Sequence, residues 1–549
     1  MIRTVVGMSR MTGMPRNSYA DRIFTGGPVV TVDPERPFAQ AVAVAGGRIT
    51  AVGETADMAG VRGPDTEIVD LEGRCLMPGF VEPHGHPTED AVVLGDRIAD
   101  IRPVTLRDPD DVFAAILAEV DRRGPDGAWL YGWDPLLQRG LPEPTLDWLD
   151  GLAPHHPLVI MHNSGHQAYF NTAAARSLGL DRDTPDPVGA HYGRDDDGGL
   201  DGTAYETAAI GRVLAPALPA DFPAALNSTY ARFNAAGITM ASDMAFTPAL
   251  RGAVAASTPT VRLRLYEVSN PQRASDLVPD NGDDLVRQVG IKMWADGSPW
   301  VGNIATSFPY LDTPSTRAIG LDAHHRGHAN YTPEQLADLA EAYFPKGWQL
   351  ACHVHGDDAV TMVLDVWEDL LRRHPRPDHR LRLEHVGTMR PDQYRRAAAL
   401  GVTCSIFVDH LYYWGNVMVD GLFGIEHGTH YALAGSALES GMRISFHNDG
   451  PVTPLEPLRN IATAVTRATS SGRVLAPEER ITLDRAIRAQ TLDAAWQMFA
   501  DDVTGSIALG KYADLVVLDE DPYRTPAEDL PGIGVHATYL AGLPVFQAD

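Results

Sequence analysis

Cysteine is scarce. The 549-residue chain holds three, Cys75, Cys352 and Cys404, far apart and without a CxxC pair. Three is odd and too few to staple a chain of this size. A disulfide framework is therefore excluded, and a reducing, cytoplasmic setting fits best. Positive charge is also short: 45 Lys and Arg stand against 72 Asp and Glu, a net charge of -27. Such a chain repels phosphate backbones and anionic bilayers, which argues against nucleic acid or membrane as a partner. No run of 18 apolar residues occurs, and "MIRTVVGMSRMTGMPRNSYADRIFTGG" has no apolar segment of signal-peptide length. Residues 1–19 read as a loose leader, with Met8, Met11 and Met14 as alternative starts. No repeat at a solenoid period stands out.

What is present is ordinary globular material, 44% hydrophobic. The length exceeds one compact core, so a large domain with a satellite is expected. From 20 to 78 the chain reads as short strands with Gly-rich turns, as in "RIFTGGPVVTVD" and "AVAVAGGRITAVG". The segment 505–549 has the same character, so both ends are expected to share one β-sandwich. The middle, 79–475, alternates strands with helical patterns such as "AVTMVLDVWEDLLRRH". That spacing implies parallel β/α units and, at eight units, an α/β fold of the (β/α)8 barrel type. The eight candidate strands of the middle begin at Leu158, Gly237, Val261, Val289, Gln349, Leu381, Val402 and Met442. A Pro-, Gly- and Asp-rich region at about 96–221 reads as an insertion over the barrel mouth. Its acidic run "GRDDDGGLDG" reads as a solvated loop, and 476–504 as a helical connection.

In a barrel, chemistry sits where strands end. The candidate strands end in His84 and His86, Asp243, Lys292 with Asp296, His353 and His355, Glu384 and His385, Asp409 with His410, and His447 with Asp449. One strand-end histidine alone is more often structural than a ligand. Many at one end point to a catalytic divalent ion held by imidazole and carboxylate. In "VEPHGH" the two histidines are two residues apart, so an extended strand turns both to one face. Lys292 is costly to bury as an ammonium. It either pairs with an acid such as Asp296 or carries a carbamate from CO2, which would bridge two metals.

These residues resemble the amidohydrolase superfamily. "MPGFVEPHGH" is similar to its PGF-x-D-x-H-x-H segment, and "GSIALGKYADLVVLDEDP" to its C-terminal segment. "IKMWADGS", "HVHGDDAV", "RLEHVG" and "NDGPVTPLEPLRNIATAVTR" resemble motifs of the amidohydrolase family 3 branch, which includes N-substituted formamide deformylase-like enzymes. The resemblance spans nearly the whole chain. It implies a barrel with a sandwich from both termini, and one or two divalent ions, usually zinc. It implies His84, His86, Lys292 (carbamylated), His353, His385 and Asp449 as metal ligands, with Asp449 also moving protons. His353 rather than His355 matches the ligand position. His355 and His410 are candidates for steadying an oxyanion.

The chain departs from the family pattern at Glu82, at Phe407 and Val408, and at His447 and Asn448. Trp300, Phe308, Phe407, Tyr412, Tyr413 and Trp414 are read as either a substrate pocket or ordinary packing. The implied activity is hydrolysis of a non-peptide C–N bond in a small apolar or aromatic molecule, an amide, N-substituted formamide or N-acyl amine. Ester or lactone hydrolysis, deamination and decarboxylation remain open on the same scaffold, as does a non-catalytic regulatory relative. A homodimer is compatible with the superfamily.

Overall fold

The computed structural model describes residues 19–187, 190–270, 273–274, 277, 279 and 281–548. Except for Tyr19, the expected leader lies outside the described residues. Eight parallel strands form the centre: β1 (Phe80–Glu82), β2 (Ile238–Phe246), β3 (Arg262–Val268), β4 (Val286–Trp294), β5 (Gln349–Val354), β6 (Arg382–His385), β7 (Thr403–Ile406) and β8 (Ile444–Phe446). Each pairs in parallel with the next. No ladder joins β1 to β8 among the described residues. Gln490 closes that seam. Its side-chain amide donates to Val81 O at 2.9 Å and Phe446 O at 3.4 Å, and its backbone carbonyl accepts Val81 N at 3.0 Å. One residue therefore satisfies backbone groups that a ladder would otherwise serve.

The outer helices form where the sequence changes period. Helix Pro333–Tyr343 opens with Thr332 and Gln335 bonded reciprocally to each other's backbone N–H, and Pro333 occupies the first turn. Helix Asp357–Arg373 begins with Asp357 and Asp358 and ends with Arg372 and Arg373, which suits its dipole. It buries Val360, Val363, Leu364, Trp367 and Leu370, a stripe at three- and four-residue spacing.

Seven of the eight candidate strands of the middle are barrel strands. Leu158–His162 is not. It lies in a separate six-stranded sheet with Ala99–Asp100, Ala128–Trp133, Gln167–Phe170, His191–Arg194 and Leu200–Tyr205. The eighth barrel strand is the short β1. The chain leaves the barrel between β1 and β2 to build this sheet, which has its own apolar clusters on both faces. The acidic run is the turn joining the last two of these strands. Asp195 Oδ1 accepts the backbone N–H of Asp197 at 3.0 Å and of Gly199 at 2.7 Å.

The two ends of the chain share a sheet: Cys75–Pro78 pairs antiparallel with Leu515–Leu518. A four-stranded sheet from the N-terminal segment faces it across Phe24, Val42, Leu76, Leu515 and Val517. Arg262 of β3 ties this module to the barrel. Its guanidinium donates to both oxygens of Asp514, at 2.6 and 3.0 Å, and both residues are buried. Among the described residues no helix is long and apolar enough to cross a membrane.

Candidate metal centre

Strands β1, β4, β5, β6 and β8 deliver their C-terminal residues to one point. His84 and His86 follow β1, Lys292 lies near the end of β4, and His353 near the end of β5. His385 ends β6, and Asp449 follows β8. Three groups of side chains have ligand atoms close enough to share an ion: His84, His86 and Asp449; His353, His355 and His385; and His84, His385 and His447. His385, Val386 and Asp449 have φ of 72°, 49° and 53°, in the left-handed region. Such strain is typical where backbone is bent to aim a functional side chain.

The outer nitrogens of these imidazoles show which atoms are left for a ligand. His84 Nδ1 lies 2.6 Å from Glu384 Oε2. A carboxylate only accepts, so Nδ1 carries the proton and Nε2 keeps its lone pair. His353 Nε2 donates to Gly297 O at 2.8 Å, which leaves Nδ1 free. His385 Nδ1 is 3.0 Å from His447 Nε2, and Ser405 Oγ holds His447 Nδ1 at 2.8 Å. Anchoring the far nitrogen of a ligand histidine fixes both its tautomer and its orientation. Burial holds the pKa of His84, His353 and His385 well below the ordinary imidazole value, so they are neutral, as ligands must be. His86 Nδ1 and Asp449 Oδ1 are buried without a hydrogen bond. His86 Nε2 sits 3.0 Å from Asp449 Oδ1, a charge contact outside hydrogen-bond geometry. Burial opposes ionisation of Asp449, but His86, together with His447 and Lys292, outweighs it and holds the carboxyl below its usual range. Neutral imidazoles, an ionised carboxylate and orphaned polar atoms are a donor set that fits a divalent cation.

Lys292 is fully buried, and its Nζ lies 2.9 Å from His84 Nε2. The salt bridge to Asp296 does not form. Asp296 instead accepts the backbone N–H groups of His355, Gly356 and Ala305 at 2.8, 2.7 and 3.2 Å. It therefore shapes the turn after β5. Burial brings the Lys292 amine down to about 8, against the pull of Glu384 and Asp449.

A cavity of about 230 Å³ opens onto His84, His86, Lys292, His353, His385 and Asp449. Its wall is apolar: Val93, Tyr131, Met161, Ile210, Leu214 and Phe222 line it, and most of these come from the insertion. Trp300, Phe407, Tyr412, Tyr413 and Trp414 are not in that lining, and neither is Phe308. Trp300 stacks on Trp414 at 4.9 Å, and Phe407 on His410 at 3.8 Å. Trp414 Nε1 donates to Asp134 Oδ2 at 3.0 Å, clamping the insertion to the barrel. Arg459 covers Tyr412, which meets Tyr413 edge-on. In this structure Trp300, Phe407, Tyr412, Tyr413 and Trp414 make ring contacts with one another or with His410 and Arg459.

His355 and His410 also lie outside the cavity lining. His355 stacks on His385 at 4.7 Å, and its Nδ1 meets Tyr431 Oη at 3.0 Å. His410 Nδ1 is 3.4 Å from the same hydroxyl. Asp409 and Asn448 serve the loop that carries Asp449: Asn448 Nδ2 donates to Asp409 Oδ2 at 3.1 Å. Glu82 accepts the Asn448 backbone N–H at 3.2 and 3.1 Å, a supporting role open to this longer acid.

Three contributors were not assigned from sequence. Arg382 grips Glu384 with Nε at 2.6 Å and Nη2 at 3.1 Å. "RLEH" does contain the signal, since residues two apart on a strand share a face. His447 is read as a strand-end residue and as a departure from the family pattern, without a role of its own. His166, in "SGHQ", lies in the insertion four residues after His162; its segment "SGHQAYFNTAAA" resembles a recurring family segment, but the sequence attaches no role to the histidine.

The family model described as amidohydrolase family matches residues 67–546. The chain belongs to the amidohydrolase family. It is similar to an N-substituted formamide deformylase of Arthrobacter pascens, 30% identical, over 95% of this chain and 98% of that one. It is also similar to exoenzymes regulatory protein AepA of Pectobacterium carotovorum, 25% identical, over 64% of this chain and 77% of that one. Among solved structures, an uncharacterized metal-dependent hydrolase from Pyrococcus horikoshii superposes with a TM-score of 0.70 at 21% identity, covering 92% of this chain and 99% of the other. At that identity the likeness supports the fold.

Proposed function

We propose that this amidohydrolase is a metal-dependent hydrolase that cleaves a non-peptide C–N bond in a small molecule with an apolar substituent. The substrate classes are amides, N-substituted formamides and N-acyl amines. The observation that carries the reading is the meeting of the donor set with the apolar cavity. His84, His86 and Asp449 would hold one ion, and His353 with His385 a second, with zinc the expected metal. Lys292 would bridge them as a carbamate, formed when its amine adds to CO2 and releases a proton. The bound metal supplies a water of lowered pKa and polarises the scissile carbonyl.

The protein's own groups do the rest. Glu384, fixed by Arg382, keeps His84 in one tautomer. Asp449, ionised and facing the cavity, takes the proton of the attacking water and delivers it to the leaving nitrogen. The apolar wall holds the substituent and excludes bulk water from the reacting bond. The similarity to a formamide deformylase supports a formyl or other small acyl group as the part released.

The test is turnover of a panel of N-alkyl and N-benzyl formamides and acetamides against matched esters and lactones. Preference for the amides is expected. Asp449→Asn should lower kcat by about 10²–10⁴. Exclusive turnover of esters or lactones would sink the C–N reading. Unaltered activity after chelation, in protein free of metal by elemental analysis, would sink the metal. The similarity to a regulatory protein favours one rival, a non-catalytic role, and undiminished biological activity of Asp449→Asn would favour it over hydrolysis.

A further inference from the structure

The cavity wall contains a charged pair that the hydrolytic scheme leaves unused. His166 comes from the turn before strand Gln167–Phe170, and Glu206 opens helix Glu206–Leu214. His166 Nδ1 lies 3.0 and 3.2 Å from the two oxygens of Glu206, and Glu206 N donates back to His166 O at 3.1 Å. The carboxylate only accepts, so Nδ1 carries the proton and Nε2 is turned away from the pair. His166 lines the cavity beside the centre, its ring 5.1 Å from that of His353. Nε2 has no hydrogen-bond partner among the described residues, and it is not among the buried orphaned atoms. His166 also belongs to none of the three groups able to share an ion.

His166 thus has one nitrogen committed to Glu206 and the other open toward the cavity. Its partner is also strained. Glu206 adopts φ 66°, a left-handed conformation that a non-glycine residue keeps only when its surroundings demand it. Asn303, in the loop after β4, donates to Glu206 Oε1 at 3.3 Å and accepts Ser298 N at 2.6 Å. The pair is thus braced against the same loop whose Gly297 carbonyl fixes His353. The helix that Glu206 opens then supplies Ile210 and Leu214 to the cavity wall. One segment therefore sets both the imidazole and the apolar surface running away from it.

We propose that His166 is a catalytic residue of the insertion that contacts the substrate's reacting polar group through Nε2, with Glu206 as its positioning residue. This rests on the hydrolase reading above. It also orients the substrate: the amide lies between His166 and the strand-end centre, and the apolar substituent lies along Ile210 and Leu214.

Two substitutions separate the nitrogens. Asn places its amide near the position of Nδ1, and Gln near that of Nε2. His166→Asn should lower kcat/KM by about a hundredfold or more, as loss of one aimed contact to the reacting group does. His166→Gln should lose less, about tenfold, and Glu206→Gln should lose less than Glu206→Leu. Metal content and melting temperature should match the parent throughout, and imidazole should partly restore His166→Gly. The second arm uses metal-free protein and benzamide, with affinity read by calorimetry. The parent should bind, and His166→Asn should bind at least tenfold more weakly. Activity of His166→Asn within threefold of the parent would overturn the proposal. So would metal loss in step with activity, equal benzamide affinity, or no benzamide binding by the parent. Should the parent hydrolyse only esters or lactones, the C–N reading fails, and the same variants on that substrate still decide the role of His166.

Discussion

Glu384→Gln removes one charge and almost no volume, and the structure says where the cost falls. Glu384 is fully buried between two donors, Arg382 at 2.6 and 3.1 Å and His84 Nδ1 at 2.6 Å. A carboxylate accepts from both sides; an amide has one accepting and one donating end. With its NH₂ toward Arg382, the variant meets donor with donor and leaves a guanidinium without its countercharge. Charge-assisted hydrogen bonds are worth about 1.5–3 kcal/mol each, so stability falls by at least about 2 kcal/mol. With its NH₂ toward His84, the imidazole must accept at Nδ1 and move its proton to Nε2. That places a proton on the nitrogen facing the metal centre. The first orientation costs stability, and the second should lower metal affinity about 10–100-fold. Chelator competition reads the affinity, and thermal melting of metal-free protein reads the stability separately. Affinity within threefold of the parent together with unchanged stability would refute the reasoning, because the orientation that keeps the His84 tautomer turns a donor on Arg382, and the other moves the His84 proton to Nε2.

Asp514→Asn should leave Arg262 without its buried countercharge and cost about 3–5 kcal/mol, nearer the low end because Arg262 still stacks on Tyr512 and donates to Asp284 O. Urea denaturation checks it, and a loss under about 1 kcal/mol would contradict the pair's role. His162 gives a pH signature. Burial first, then the like charge of His166, lowers its pKa from 6.5 to about 3. The unfolded chain therefore binds a proton that the folded chain refuses between those values, so stability is lost as pH falls from 6.5 toward 3. The full effect is roughly 5 kcal/mol, and His162→Asn should melt with a shallower acid slope than the parent. An identical slope would count against it. Leu214→Trp should fill the apolar wall and raise KM for bulky N-substituents far more than for N-methyl amides, with metal content unchanged. An equal rise for both would place the substituent elsewhere.

The barrel is legible because parallel strands buried on both faces leave dense apolar runs between helical patterns. The same physics explains the one misplaced strand. Leu158–His162 is as apolar as any barrel strand and pairs in parallel with Ala128–Trp133. Which sheet it joins depends on long-range pairing, and its own residues do not encode that. β1 stands outside the eight middle strands although "VEPHGH" marks its end: it has three residues and needs Gln490, hundreds of positions away, to finish its hydrogen bonding.

The site divides along the same line. Strand-end ligands are visible because strand periodicity turns alternate residues to one face, and adjacent strands bring those faces together. The substrate wall follows no such rule. Aromatics near Asp409 looked suited to a pocket, yet Trp414 is spent on Asp134 and Trp300, holding the insertion down. The wall is made instead by the segment so held, through Ile210, Leu214 and Phe222, with His166 at its inner end. The proposed chemistry thus draws on the barrel strands and on His166, while the apolar part of the insertion faces the substituent. Substitutions at Ile210, Leu214 and Phe222 should redirect substrate choice without disturbing the metal, whereas substitutions of the residues at the ends of β1, β4, β5, β6 and β8 should abolish turnover of every substrate alike.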